Sequence, residues 1–406
     1  MALKGLLGSV GLTLCFFVLE LEPHQAQTLS LGLSVRENIS SNSPIQGLCA
    51  SSVILHGYKC QELEVTTTDG YILSLQRIPQ GRTQVCDIET VKQPVIIQHG
   101  VLVDGMTWLL NPPEQNLPLI LADNGFDVWI ANARGTRYSR KHTSLDPSKP
   151  AYWNWCWDDM VTYDLPAIFD YVSNQTGQKI NYVGHSLGTL IVLASFSEGK
   201  LVNQLKSAAL LSPVAYLNHM KTEIGIIAAN SFIGEIITAS GEPEFDPKGL
   251  PVHRFMEALC RDPGVDCSDL FTAITGLSDN CCLNSSTVNL FMMHEPQPTS
   301  TKNVVHLSQT VRDGVLAKFD NGKITPQIYN LSNIPHNLPL FISYGGEDAL
   351  SDVLDVRKLL DDLKFHDADK LSVQFINNYA HADYVMAFNA KDIVYNHVTA
   401  FFKRQF

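Results

Sequence analysis

Positive charge is scarce in this chain: 29 Lys and Arg stand against 41 Asp and Glu, for a formal charge of -12 and a pI of about 5.5. A surface of that sign repels phosphate backbones, so nucleic acid is excluded as a partner. The zinc-site spacings C-x-x-C and H-E-x-x-H are both missing, so no metal is expected, and no cofactor motif calls for a bound group. Internal repeats, low-complexity tracts and charge blocks are missing too, which removes solenoids and disordered tails. Past the first twenty residues no apolar run is long enough to cross a bilayer, so no transmembrane anchor is expected.

The first residues carry Lys4, then an apolar run from Gly5 to Leu19 that stops at Glu20 and Glu22. That run is too short for a membrane span and reads as a secretory signal peptide, residues 1–26, cut near Ala26. The chain then enters an oxidising compartment and is expected to be secreted, with a vacuole or lysosome-type compartment as the alternative address. Of nine cysteines, Cys15 leaves with the signal peptide, and the even remainder predicts disulfides, with Cys49–Cys60 and Cys260–Cys267 the nearest pairs. Adjacent Cys281 and Cys282 are expected to find different partners. Asn38, Asn174, Asn284 and Asn330 each open an Asn-x-Ser/Thr sequon and are candidate glycan sites on exposed loops.

Two alternating stretches, Cys60 to Thr67 and Tyr71 to Pro79, flank Asp69-Gly70 and predict an antiparallel hairpin. Short continuous apolar runs follow at Val95 to Gln98, Phe126 to Ala131, Ile180 to Val183, Ser207 to Leu211, Leu340 to Tyr344 and Val373 to Ile376. Runs apolar on both faces, separated by helix-length segments, predict a mostly parallel sheet buried under helices on each side. The spacing breaks once, between Leu211 and Leu340. That interval is too long for one crossover, so residues 213–330 are expected to form a cap inserted between core segments 27–212 and 331–406.

Chemistry concentrates at Gly184-His185-Ser186-Leu187-Gly188, which follows a strand-like run and precedes a helix-like one, Thr189 to Glu198. Strand, tight turn and helix are the setting of a nucleophile elbow, where glycines at 184 and 188 let strand and helix approach closely and the helix N-terminus favours a developing oxyanion. A serine nucleophile needs a base, and the base an acidic orienter, in the chain order Ser, Asp or Glu, His. Asp348 follows the run Leu340 to Tyr344 and is preferred to Glu347 and Asp352. His381 follows the run ending at Ile376. His294, His306 and His336 precede the acid and fail the order, His397 sits in a helix-like tail, and His185 is read as a support. For the oxyanion hole the backbone N–H groups of Leu187 and Val101 are the candidates, with His99 and Gly100 shaping the turn after the third strand.

Taken together, Gln98 to Leu102, Asp127 to Thr136, Tyr163 to Ala167, Gly184 to Thr189 and Gly345 to Leu350, with the hairpin strand Gly70 to Leu73, resemble the acid lipase family of gastric and lysosomal α/β hydrolases. The resemblance covers nearly the whole chain after the signal peptide. It implies an α/β-hydrolase fold with a mobile lid, hydrolysis of triacylglycerol or steryl esters, and Ser186, Asp348 and His381 on the triad positions, with Val101 and Leu187 at the oxyanion. Leu187 stands where the mammalian enzymes carry Gln, which leaves the backbone N–H in place. Extra cysteines, Cys49, Cys60 and Cys86 among them, make the chain look like a plant member.

The expected activity is therefore a secreted serine ester hydrolase, a triacylglycerol lipase acting on lipid esters at an emulsion or membrane surface. Steryl ester hydrolysis or acyl transfer by the same triad are the rival activities, and a catalytically inactive lipid-binding protein is the rival class. Trp153, Trp155 and Trp157 are read as packing, Arg134 and Arg137 as salt-bridge braces, and Glu235, Glu242 and Glu244 as a solvated face.

Overall fold

The backbone is described for residues 47–83, 91–249, 282–320 and 325–405 of a computed structural model, and the side chains for the same residues except 223, 224, 227, 228 and 233. The signal peptide, Asn38, Cys86, Cys260, Cys267 and Cys281 lie outside the described residues.

The hairpin signature builds β1 (Gln61–Thr66) and β2 (Tyr71–Ile78), paired antiparallel. The apolar runs become β3 (Pro94–Gln98), β4 (Asp127–Ala131), β6 (Ile180–Ser186), β7 (Leu205–Pro213), β10 (Leu340–Gly345) and β11 (Leu371–Ile376). Short pieces without periodic signal add β5 (Lys141–His142), which pairs with β2, and a separate ladder of β8 (Glu244–Phe245) with β9 (Thr299–Ser300). Among the described residues the main sheet runs β1-β2-β4-β3-β6-β7-β10-β11, parallel from β4 onward.

Alternate residues of the inner strands go to opposite faces. Ile96, Trp129, Tyr182, Ala208 and Leu210 join one apolar cluster, while Val95, Ile97, Val128, Ile130, Val183 and Ala209 join the other. Every residue of β3, β4 and β6 is buried. That is why these strands read as unbroken apolar runs, since both faces lie under other elements. Trp153, Trp155 and Trp157 fill the first cluster, each at most 2 % exposed, as the packing reading requires.

The longer helices are α1 (Leu117–Asp123), α2 (Leu165–Thr176), α3 (Leu187–Ser197), α4 (Glu223–Asn230), α5 (Ile233–Ala239), α6 (Ser285–His294), α7 (Thr301–Asp313), α8 (Val353–Asp362) and α9 (Asn396–Lys403). The four from α4 to α7, with β8 and β9, occupy the interval between β7 and β10. Within it α5 packs so closely on α7 that a Cβ on Gly234 would come 2.8 Å from the Val305 side chain. No helix of the described residues is long and apolar enough to cross a membrane.

After β3 the chain moves outward to β4, and then crosses to the other side of β3 to lay down β6. This reversal makes a topological switch point at the carboxyl ends of β3 and β6, the place where open α/β sheets hold their ligands. Gln98 pairs with Gly184 in that register, so the turn after β3 and the turn after β6 face each other across it.

Candidate active site

Ser186 ends β6 and caps α3 with φ 55° and ψ -121°, a backbone state that side chains other than glycine rarely take. Holding it costs about 1–3 kcal/mol, which the surrounding packing must offset. The two glycines make that packing feasible: a Cβ on Gly184 would lie 2.7 Å from the Gly188 carbonyl oxygen, and one on Gly188 would lie 2.6 Å from the Gln98 carbonyl oxygen. The Tyr182 hydroxyl donates to the Gly188 carbonyl (2.7 Å) and Thr189 Oγ1 to the Ser186 carbonyl (2.6 Å), fixing the turn from beneath. Leu187 is the first residue of α3, where N–H groups have no carbonyl within their own helix. The loop after β3 passes against the serine, because a Cβ on Gly100 would stand 2.9 Å from Ser186 Cβ.

His99 holds that loop. Its ring is buried, Nδ1 donates to the Gly100 carbonyl (2.8 Å), and Nε2 accepts from the Ala133 N–H (2.9 Å). Burial depresses its pKa, consistent with a neutral ring that both donates and accepts. Val101, half-buried, follows in the turn, and Leu102 beyond it has φ 59°.

Asp348 and His381 come together at the ends of β10 and β11. His381 Nδ1 lies 3.1 Å from each Asp348 carboxylate oxygen, and both side chains are buried. Asp348 Oδ1 also accepts from the N–H groups of Leu350 (3.0 Å) and Ser351 (2.7 Å). Burial alone would push this carboxyl up, but His381, the Ser212 hydroxyl and the Ser351 N–H outweigh it and hold the group below the ordinary carboxylate value. The His185 ring donates from Nε2 to the His381 carbonyl (2.9 Å), which places His381 beside the elbow. Burial first, and His381 second, lower the His185 pKa to about 3, so His185 stays neutral and acts as a brace. No hydrogen bond joins Ser186 Oγ to His381 among the described residues. Such bonds are often loose before substrate binds.

Sequence reasoning missed Ser212. It lies near the end of β7, and its hydroxyl donates to Asp348 Oδ2 while standing 2.7 Å from His381 Nδ1. The competing acids have other work. Glu347 is exposed. Asp352 caps α8, accepting from the Leu354 N–H (2.8 Å), and pairs with Lys221 at 2.7 Å.

Arg134 is buried between Asp69 and Asp164, and Arg137 pairs with Asp104 at 2.8 Å, so both are braces. Glu235 and Glu244 are bound to Arg312 and Arg140, which corrects their reading as a solvated face. Cys49 and Cys60 form a disulfide and Cys282 is disulfide-bonded, but Cys156 is buried and free, so the even cysteine count does not mean complete pairing. Asn174, Asn284 and Asn330 are exposed. One grouping of metal-type ligands occurs among the described residues, Cys156, Asp158 and His306; His306 Nε2 donates to the Ala317 carbonyl (2.9 Å), and its Nδ1 is buried with no hydrogen-bond partner among them. Asp158 accepts from Tyr329 (2.8 Å) and the Phe319 N–H (2.7 Å), His306 stacks on Trp157, and burial drives the thiol pKa far up.

A parallel sheet crossed at β3, a strained serine between strand and helix, and a buried Asp–His pair at the neighbouring strand ends define an α/β hydrolase. Comparison with known proteins agrees. A model described as the partial alpha/beta-hydrolase lipase region matches residues 49–112, and one for the alpha/beta hydrolase fold matches residues 93–235. Triacylglycerol lipase 2 of Arabidopsis thaliana is 59% identical over 370 residues, covering 88% of each chain. Gastric triacylglycerol lipase of Bos taurus is 33% identical over 382 residues, 89% of this chain and 92% of the bovine one. Among solved structures, a soluble variant of monoglyceride lipase from Saccharomyces cerevisiae superposes with a TM-score of 0.57 at 16% identity, over 86% of this chain and 96% of the yeast one. The chain belongs to the acid lipase family of α/β hydrolases and is a carboxylic ester hydrolase.

Proposed function

We propose that the protein is a secreted lipase that hydrolyses triacylglycerol through an acyl-enzyme on Ser186. The observation that carries this reading is the buried Asp348–His381 pair set beside the His185–Ser186 elbow. Ser186 Oγ attacks the ester carbonyl, His381 Nε2 takes its proton and passes it to the leaving alcohol, and Asp348 steadies the ring at Nδ1. The N–H groups of Leu187 and Val101 receive the oxyanion. Water then enters, gives its proton to His381, and releases the fatty acid.

Ser186 and His381 are only 7% and 5% exposed, so substrate reaches them after covering chain moves. The segment 213–330 is the proposed cap. It is tied to the loop after β3 by the Gln297 N–H on the Leu102 carbonyl (2.7 Å) and by Glu295 accepting from the Asp104 N–H (3.3 Å). Phe232 at the start of α5, Ile236 within it and Met293 in α6 are at least half exposed, which suits contact with a lipid surface. The names of the Arabidopsis and bovine relatives support triacylglycerol over steryl ester as substrate.

A fluorophosphonate probe should label the protein once, at Ser186. A panel from short soluble esters to emulsified triacylglycerol and steryl ester should show turnover of triacylglycerol emulsion. Failure to label would leave a lipid-binding protein; labelling with no turnover of emulsions would reduce the activity to a small-ester esterase.

A further inference from the structure

Near the end of β7, beyond residues in register with β10, Ser212 reaches the acid and the base of the site together. Leu211 pairs with Ser343, so the two strands run side by side and Ser212 and the loop carrying Asp348 leave the sheet at the same edge. The Ser212 hydroxyl has one proton and gives it to Asp348 Oδ2. Its oxygen therefore meets His381 Nδ1, 2.7 Å away, as an acceptor, and that contact is shorter than the 3.1 Å from Nδ1 to either carboxylate oxygen. The Nδ1 proton is thus shared between the hydroxyl and the carboxylate, and the hydroxyl links the two.

The protein holds Ser212 there at a conformational cost. Its φ is 50°, in the left-handed region, where a residue other than glycine is uncommon. Its neighbours are tied down: Ser351 Oγ donates to the Pro213 carbonyl (2.6 Å), and the Val214 N–H donates to Thr189 Oγ1 (2.8 Å), which itself braces the Ser186 carbonyl. Ser212 is wholly buried, as is Asp348. A side chain kept in a strained state between two reacting partners, with both flanks anchored to the same site, is placed for orientation and not for filling space.

From this geometry we infer that Ser212 is a fourth, positioning member of the catalytic unit, an inference that rests on the acyl-enzyme reading above. It accepts from Nδ1–H and so keeps the proton on that nitrogen, leaving Nε2 bare toward Ser186. It also fixes the ring plane with a second anchor, so that the imidazolium formed during attack stays aligned.

The test compares wild type, Ser212→Ala, Ser212→Gly, Asp348→Asn and the Ser212→Ala/Asp348→Asn double variant on a soluble short-chain nitrophenyl ester, with fluorophosphonate labelling and thermal melting alongside. Loss of a hydrogen bond to a charged group should lower kcat by about 10- to 100-fold in Ser212→Ala, while KM stays within about twofold. Ser212→Gly should behave alike, because glycine takes this φ freely. In the Asp348→Asn background the serine change should cost little more, since both groups act on one nitrogen. The inference is overturned by a kcat near wild type in either folded variant, or by losses that multiply in the double variant. It is equally overturned if melting and turnover fall together, which would assign Ser212 to the fold. Absence of labelling in the wild type would instead sink the acyl-enzyme reading itself.

Discussion

Exchanging Asp348 for Asn changes one atom type in a site where every neighbour is a donor. The carboxylate accepts from His381 Nδ1, the Ser212 hydroxyl and the N–H groups of Leu350 and Ser351. An amide has one accepting oxygen and one donating nitrogen. If the oxygen faces Leu350 and Ser351, the NH2 opposes Ser212 and His381; if it is turned over, the NH2 opposes two backbone N–H groups. In the first arrangement His381 is driven to the wrong tautomer, and the charge that steadies the imidazolium is gone in either. The loss should be about 10⁴-fold in kcat, equivalent to about 5.4 kcal/mol of transition-state stabilisation. A buried unmatched donor should also cost about 1–3 kcal/mol of stability.

Asp352→Asn is the internal control. Asn caps helices as well as Asp does, so the bond from the Leu354 N–H survives. Only the pair with Lys221 is lost, and that lysine is 63% exposed, so the change should cost at most about 1 kcal/mol. Initial rates on a soluble ester, taken with urea unfolding of each variant, separate the two. The assignment fails if Asp348→Asn keeps more than about a tenth of wild-type kcat, or if Asp352→Asn is the dead one.

Three further outcomes are expected. Replacing Cys49 and Cys60 by Ser should lower stability by about 3 kcal/mol in urea unfolding, because the bond closes a short loop with a sequence separation of 11. Asp383 is buried and faces the charge of Asp348, and together these raise its pKa to about 6. A carboxyl raised on folding adds stability that is complete below about pH 4 and lost as pH rises through about 6. Asp383→Asn should therefore raise the melting temperature above pH 6, by up to about 3 kcal/mol of stability, and change little at pH 4. Phe232→Ser with Ile236→Ser should reduce turnover of emulsified long-chain triacylglycerol several-fold while short soluble esters turn over as before; equal losses on both would remove these residues from the lipid surface.

What the sequence made legible follows from where each signal arises. The inner strands announced themselves because burial on both faces demands unbroken apolar runs, and each observed strand lies within three residues of its expected limits. The elbow was readable because its glycines are forced by contacts within one strand-turn-helix unit, and Asp348 because it follows a recognisable strand end. The β8–β9 ladder was not, since two residues per strand carry no period. Nor was the fate of Cys156: counting cysteines constrains how many could pair, while its buried place at the start of a helical turn decides that it does not.

Ser212 shows the limit most sharply. Ser-Pro after an apolar run looks like an ordinary strand ending, and nothing local marks it out. Its meaning depends on β7 and β10 being sheet neighbours although more than a hundred residues separate them, so that one strand's end supplies a hydroxyl to the other's carboxylate. The one local trace is conformational, a φ of 50° at a residue that is not glycine, and a sequence does not display dihedrals. Residues that prepare a reacting group are drawn from whichever neighbouring strand ends the topology delivers. Finding them takes the sheet order first, and then a search for strained polar residues at the strand ends beside the acid and the base.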